Sequence, residues 1–220
     1  EALHDKAPGY RYIFIGPNGT WATVVAINGR DEWRCSVIGN ANDRQALSEE
    51  DIRDYTKKAV GVDFDYEILS ILPWTRRQLV AERYQDGRVF LTGDSAHAMS
   101  PTGGFGMNTG IGDAVDLSWK MTAVLNGWGG QALLDSYTAE RRPIGERNVN
   151  EAKDNLSRML SPGDNAALLD DGAEGDVTRA RVGEEISRAM LREWNTLGIH
   201  LGYVYHGSDL ICPDGTPAPP

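Results

Sequence analysis

The sequence predicts a mixed fold, partly α/β and partly α+β, from two patterns. Three short runs of β-branched and aromatic residues, at 11–15, 20–27 and 33–38, are separated by turn residues and predict an antiparallel meander. Further along, a short apolar run at 88–92 leads through a glycine-rich stretch into residues with helical spacing. A strand, a loop and a helix in that order are typical of an α/β layer.

Composition narrows the classes of function. The 220 residues include 22 Lys and Arg against 32 Asp and Glu, a formal net charge of −10. An acidic surface repels a phosphate backbone, so nucleic-acid binding is disfavoured. Cys35 and Cys212 are too few for a disulfide scaffold, which favours a reducing, cytoplasmic location. The four histidines lack metal-ligand spacing, and no apolar run approaches the length of a membrane span.

The first half of the chain contains strands and one helix. The Asn28-Gly29 pair between β-branched runs predicts a hairpin. Ser48, followed by three acidic residues, predicts a capped helix that ends at Gly61. Extended structure is expected again at 66–72 and at 78–84.

The second half is mainly helical after one strand. The Asp86-Gly87 turn leads into residues 88–92, which we expect to form a buried parallel strand. A helix that begins near Asn108 ends at 126–127, and another spans 132–142 and continues beyond a proline over 144–160. A loop at 161–176, a helix at 177–194 and an extended tail at 200–220 complete the chain.

A ligand site is expected where the strand at 88–92 meets the next helix. Glycines at 103, 104 and 106 leave room for a flat ligand to approach the backbone. The helix start near Asn108 directs unpaired N–H groups and a positive dipole end at this loop. Asp94, at the end of the strand, has two interpretations: a turn or capping residue, or a carboxylate that accepts hydrogen bonds from hydroxyl groups.

The run from Arg88 to Lys120 resembles the second FAD fingerprint of the flavin-dependent aromatic hydroxylases, the single-component class A monooxygenases typified by p-hydroxybenzoate and phenol hydroxylases. The likeness extends to residues 137–142. More loosely, Gly202-Tyr203 and residues 213–217 are similar to the branch that includes chlorophenol and polyketide-ring hydroxylases. The resemblance implies part of a p-hydroxybenzoate hydroxylase-like FAD/NAD(P)-binding fold.

The resemblance also implies roles for individual residues. Asp94 would accept a hydrogen bond from the ribityl chain of FAD, and Gly93 would permit the tight turn before it. Pro101 would lie beside the isoalloxazine ring, where oxygen reacts, and is the one catalytic candidate. The N–H groups of Met107 and Asn108 would face flavin N1 and the C2 carbonyl, where negative charge accumulates on reduction.

The remaining glycines, Gly104 and Gly106, would complete the cofactor site. His97 is interpreted as a structural residue packed under the loop, and Asp113 as one that favours the first turn of its helix. Asp94, Ser95 and His97 lie too close in sequence for a catalytic triad, so a hydrolase is disfavoured.

By resemblance, the N-terminal sheet would form the wall of the substrate pocket. Trp74 and Arg76, with Arg77, sit where such a strand could face substrate, although an aromatic residue in a sheet is more often core. The expected division is residues 1–85 for the substrate-domain sheet, 86–160 for the C-terminal part of the FAD-binding domain, and 161–220 for a loop, a helix and a tail leading to a further C-terminal region.

The activity implied is hydroxylation of a small aromatic or polyketide-derived phenol, with FAD as cofactor and NAD(P)H and O2 as co-substrates. Two alternatives remain open: an FAD scaffold without oxygen transfer, either cyclase-like or structural, and a non-catalytic partner that completes its fold with a second chain. The family's N-terminal Gly-x-Gly-x-x-Gly turn has no match here, so we expect the chain to be a portion of a longer enzyme that lacks the N-terminal FAD-binding segment.

Overall fold

A computed structural model describes residues 9–39, 47–160, 165–212 and 214–216. The chain divides into two compact units. The first comprises Glu1–Thr75 and Met159–Ile186, and the second comprises Arg76–Arg158 and Ser187–Pro220. The predicted division into a substrate-domain sheet, an FAD-binding part and a tail stays a prediction.

The first unit contains the predicted antiparallel meander. Strands β1 (Arg11–Gly16), β2 (Gly19–Ala26) and β3 (Trp33–Val37) pair in that order. The hairpin at Asn28 is confirmed, but its loop is longer than a two-residue turn. The Oδ1 atom of Asn28 accepts the N–H groups of residues 30, 31 and 32 at 3.0–3.2 Å, so this side chain organises the loop.

Helix α1 (Glu49–Val60) is confirmed with both of its caps. The Asp51 N–H donates to Ser48 Oγ at 3.1 Å, and the Ser48 N–H donates to Asp51 Oδ2 at 2.8 Å. Gly61 ends the helix at φ +83°, a left-handed conformation that glycine adopts without strain. Trp21 of β2 contacts this helix, since the Lys58 ammonium lies 4.6 Å from the centre of its ring.

The predicted strand at 66–72 is wrong. Among the described residues, 63–78 belong to no strand ladder. A strand requires a partner for its N–H and C=O groups. The apolar side chains that suggested a strand, Leu69 and Leu72, are 72% and 82% exposed, so no burial holds this segment in a sheet.

The C-terminal portion of the first unit is more helical than predicted. A 3₁₀ turn, Ala166–Leu169, interrupts the predicted loop, whose residues 161–164 lie outside the described part of the chain. Helix α4 (Ala173–Trp194) begins four residues before the predicted start at Val177 and continues into the second unit. The Arg179 guanidinium donates to the carbonyls of Leu168 and Asp170, which connects the turn to the helix.

The second unit contains two short antiparallel strand pairs. Strand β4 (Leu79–Val80) pairs with β7 (His97–Ala98), and β5 (Gln85–Asp86) pairs with β6 (Val89–Phe90). The predicted strand at 78–84 is therefore reduced to two residues.

The expectation of a buried parallel strand at 88–92 is wrong. Gly87, at φ +59°, turns the chain back, so β6 pairs with the residues just before the turn. Val89 is 65% exposed, and no described strand runs parallel to β6.

Two long helices support the second unit. Helix α2 (Phe105–Leu125) begins three residues before the predicted start at Asn108, and helix α3 (Gln131–Leu160) continues through Pro143. Four side chains of this unit, those of Tyr84, Ala96, Leu117 and Tyr137, form a buried apolar cluster. Helix α5 (Leu197–His200) is a single turn, and no described residue of the predicted extended tail forms a strand.

Candidate cofactor site

A short 3₁₀ turn, Gly93–Ser95, crosses helix α2, and we call this turn the strap. A Cβ atom on Gly110 would lie 3.3 Å from the Cα of Gly93, so the two backbones meet where neither residue has a side chain. Gly93 itself has φ +57°. The strap presents Asp94 to solvent, and no described residue donates a hydrogen bond to its carboxylate. Asp94 is therefore an accessible acceptor beside α2.

The start of α2 forms the second part of the site. Gly104 precedes the helix at φ +67°, no side chain caps the helix there, and no atom lies within 4 Å of the position that a Cβ on Gly104 would occupy. Helix N-termini carry N–H groups without intrahelical partners. Met107, the third residue of α2, carries one of these N–H groups, whereas helical geometry directs the N–H of Asn108, the fourth residue, to the carbonyl of the Gly104 cap. Both residues are exposed, and Met107 is 76% exposed.

The loop before α2 is fixed from below. Thr102 is buried, and its hydroxyl donates to the Ala152 carbonyl at 2.6 Å. The Gly103 N–H donates to Glu193 Oε1 at 3.0 Å. Pro101 lies between two buried residues yet is itself exposed, and Gly106 contacts the loop, since a Cβ there would lie 3.9 Å from Met99 Cγ. These hydrogen bonds fix the loop beneath the open space between the strap and the start of α2, which we call the cradle.

A buried aspartate beneath the strap connects its elements. Asp113 has no exposed surface. Its Oδ2 accepts the Gly93 N–H at 3.1 Å and lies 2.7 Å from His97 Nε2, while its Oδ1 accepts Arg141 Nε–H at 2.8 Å. Burial raises the pKa of Asp113, but the hydrogen bonds from His97 and Arg141, the charge of Arg141 and the Gly93 N–H together lower it below its ordinary value.

The sequence placed Asp113 at the wrong position in its helix. Asp113 was expected in the first turn of its helix, but α2 begins at Phe105, so Asp113 lies more than two turns inside. His97 is 1% exposed, in agreement with a packed structural residue. Arg141 was not singled out, although it lies in the 137–142 segment that resembles the aromatic hydroxylases. No spacing rule connects residues 28 positions apart.

A second buried group of charges was also missed. The Lys120 ammonium bonds to Glu140 Oε2 and forms an ion pair with Asp116, with its Nζ 2.8 Å from Asp116 Oδ2. Burial raises the pKa of Asp116, against the influence of Lys120. A cleft of about 620 Å³ lies beside this group, and none of the predicted cofactor residues lines it.

The structure places the two substrate candidates outside any strand. Trp74 is 65% exposed and belongs to the first unit, whereas Arg76 is half-buried in the second. Burial lowers the pKa of Arg76. The expectation that these residues project from a sheet is wrong, because residues 63–78 form no ladder. A role in substrate binding stays a prediction.

The cradle can therefore bind a ligand with hydroxyl groups and a flat, electron-rich edge. Asp94 supplies an acceptor for hydroxyls, and the start of α2 supplies donors and a positive dipole end. Within the described ranges, no three His, Cys, Asp or Glu side chains are grouped as a metal would require. Among the same residues, no helix is both long and apolar enough to span a membrane.

Comparison with known proteins identifies one matching family. The model of the family described as "FAD binding domain" matches residues 6–152. A Streptomyces coelicolor protein named "Putative polyketide hydroxylase" is 49% identical over 169 residues, which cover 73% of this chain and 27% of that protein.

Three solved structures share the fold. RebC-10x, solved native and with K252c bound, is 35% identical with a TM-score of 0.85, over 98% of this chain and 40% of that one. The flavin-dependent monooxygenase PieE, in complex with FAD and substrate, is 28% identical with a TM-score of 0.78, over 98% and 41% of the two chains. The Diels-Alderase PyrE3, from pyrroindomycin biosynthesis, is 28% identical with a TM-score of 0.57, over 82% and 42%. The chain thus spans less than half of the length of each of these proteins.

Proposed function

Because the chain belongs to the FAD binding domain family, we propose that the full-length protein is an FAD-dependent monooxygenase that hydroxylates an aromatic or polyketide-derived phenol with NAD(P)H and O2. The p-hydroxybenzoate hydroxylase-like fold is shared with PieE, a flavin-dependent monooxygenase. The observation that carries the proposal is the open cradle between the strap and the start of α2, which has the donors, the acceptor and the space that a flavin requires.

The residues present fit FAD on structural grounds. A Cβ at position 104 would meet no atom within 4 Å, so a flat ring can approach this backbone. Asp94 is exposed and has no described partner, so its carboxylate is available to the ribityl hydroxyls. Gly93 and Gly106 keep the strap and the first turn of α2 close to neighbouring backbone or side chains without a Cβ in the way.

When bound, FAD supplies the transfer of electrons from NAD(P)H and the activation of O2. The chain supplies binding and electrostatics. With FAD bound, the unpaired N–H groups at the start of α2, which include that of Met107, and the positive dipole end would stabilise negative charge at N1 and the C2 carbonyl, without reorganisation because α2 is already formed. The N–H of Asn108, proposed for the same role, is directed to the Gly104 carbonyl by helical geometry, so Asn108 would contribute through the dipole. Pro101 has no N–H group and restricts its own backbone, so it would present a rigid apolar surface to the ring.

Substrate recognition is proposed for Trp74 and Arg76. The exposed indole of Trp74 can stack on an aromatic ring, and the half-buried guanidinium of Arg76 can pair with a phenolate or carboxylate. We assign the protein to the cytoplasm, where NAD(P)H is available and the two free cysteines stay reduced.

The test uses the purified full-length protein with FAD, NADPH or NADH, and a panel of phenols under ¹⁸O2. Oxidation of the nicotinamide that depends on substrate, with one labelled oxygen atom in the product, is the expected result. Trp74→Ala should then raise KM with little effect on FAD content. A protein that retains FAD yet incorporates no label with any phenol that it binds would overturn the proposal of oxygen transfer.

A second candidate function keeps FAD but omits oxygen transfer. The similarity to PyrE3 supports it, because PyrE3 shares the fold and is named a Diels-Alderase, an enzyme for a ring-forming reaction. The two functions differ in their requirements. Conversion of a substrate without NAD(P)H and under argon would favour the cyclase-like alternative, and strict dependence on both co-substrates would exclude it.

A further inference from the structure

We propose that Asp113 is a positioning residue for the cofactor site, acting through the Gly93 N–H to hold the strap that carries Asp94. The proposal rests on the proposed FAD site. In this role a buried carboxylate fixes the position of Asp94, the acceptor proposed for the ribityl hydroxyls of FAD.

The strap depends on Asp113 because, among the described residues, its one hydrogen bond to α2 is to this side chain. The Gly93 N–H donates only to Asp113 Oδ2, at 3.1 Å, among the described residues. Since Gly93 and Gly110 cross without side chains, no side-chain packing holds the strap at that point. The Ser95 hydroxyl bonds back to the Thr92 carbonyl at 2.7 Å, which closes the turn locally but does not connect it to α2.

The residue must be an acceptor on both oxygens. Oδ1 faces the Nε–H of Arg141, a group that keeps its proton, and Oδ2 faces the Gly93 N–H, which cannot lose one. His97 Nε2 also faces Oδ2, at 2.7 Å, and it alone can change tautomer. An asparagine at 113 would place its NH2 group against a donor in either orientation. The donors around Asp113 therefore require an ionised carboxylate at this position.

Arg141 is itself held in place, so Asp113 has a fixed partner. Its two terminal nitrogens donate to the Thr109 carbonyl and to the Tyr205 hydroxyl, both at 3.2 Å. A Cβ on Gly112 would lie 2.7 Å from Arg141 Nη2, so glycine at 112 gives the guanidinium its place against α2. The network thus runs from the C-terminal segment through Arg141 and Asp113 to the strap.

The test compares Asp113→Asn with Asp116→Asn in the full-length protein. Both replacements remove a buried carboxylate from α2, three residues apart, but Asp116 contacts Lys120 and not the strap. FAD is titrated into each apoprotein by flavin fluorescence, and the visible circular dichroism of the bound flavin is recorded. We expect about tenfold weaker FAD binding and an altered dichroic spectrum for Asp113→Asn, because an N–H group loses a charged acceptor, and wild-type values for Asp116→Asn.

Equal FAD affinity and the same flavin spectrum in Asp113→Asn and wild type would refute the positioning role. An equal loss in both variants would also refute it, because the effect would then be one of general stability. A wild-type protein that binds no FAD would count against the proposed cofactor site itself. Should Asp113→Asn fail to fold, Arg141→Lys is the second variant. It keeps the positive charge but cannot bond to Asp113, Thr109 and Tyr205 together. Weaker FAD binding at an unchanged melting temperature supports the proposal, whereas unchanged binding contradicts it.

Discussion

Replacement of Gly145 by alanine should destabilise the protein, although alanine is normally the better helix former. Gly145 lies inside α3 and is buried. A Cβ there would lie 2.2 Å from the Tyr84 hydroxyl oxygen and 3.3 Å from His97 Cδ2. Tyr84 has no exposed surface, so its ring cannot move aside. The hydroxyl therefore occupies the space that only glycine leaves.

The magnitude follows from two opposing effects. Alanine in a helix interior is favoured over glycine by about 0.5–1 kcal/mol. Overpacking of a close-packed core costs about 1–3 kcal/mol. Gly145→Ala should therefore lower the free energy of unfolding by about 1 kcal/mol. In a Tyr84→Phe background the nearest remaining atoms lie at 3.3 and 3.4 Å, still tight contacts that offset the helical preference for alanine, so the same replacement should be close to neutral.

A double-mutant cycle measures this interaction. The free energy of unfolding is obtained from urea denaturation of the full-length wild type, the two single variants and the double variant, with a coupling energy of about 1 kcal/mol expected. Tyr84→Phe alone should have a small effect, because the hydroxyl it removes has no described hydrogen-bond partner. Gly183→Ala is the matched control, since nothing lies within 4 Å of its added Cβ in helix α4. A coupling energy near zero would show that α3 does not pack on Tyr84 as described.

Three further predictions concern single side chains. Asp94→Ala should weaken FAD binding about tenfold, because a charge-assisted acceptor is lost. The melting temperature should not change, because Asp94 is exposed. An unaltered dissociation constant in a fluorescence titration would contradict the assignment of Asp94. The pKa of Asp113 in the folded state is lowered from 3.8, so its contribution to stability is present above that pH and is lost as pH falls through the folded value. Acid denaturation below about pH 4 should therefore be less steep in Asp113→Asn than in wild type, and parallel curves would refute this. Burial raises the pKa of Cys35, whereas Cys212 is exposed. Iodoacetamide at pH 7.5 should therefore modify Cys212 first, which peptide mass spectrometry measures. Equal rates of modification would contradict the burial of Cys35.

Local signals predicted the elements that depend on local physics. The capping box of Ser48 and the glycine that ends α1 act within a single turn, so their sequence pattern is sufficient. The meander was predicted for the same reason, because turn residues separate runs of β-branched residues. The strand at 66–72 failed because its apolar residues suggested burial, whereas Leu69 and Leu72 are exposed.

The candidate site was predicted in part. The glycine-rich loop, Asp94 and the helix start are adjacent in the sequence, so the pattern identified them together, and their roles toward FAD stay predictions. The parallel strand was wrong because a run of apolar residues does not reveal the strand with which it pairs, and Gly87 directs that pairing to the preceding residues.

The sequence by itself determined the family resemblance, the meander, the capped helix and the glycine-rich loop before α2, since each depends on neighbouring residues. Only the tertiary structure decided which charges are buried and what they hold. Asp113, Arg141 and Tyr205 are far apart in the chain and meet only because α2, α3 and the C-terminal segment pack together. Burial then makes their pairing obligatory, because an unpaired charge in such a place would cost far more than the hydrogen bonds that satisfy it.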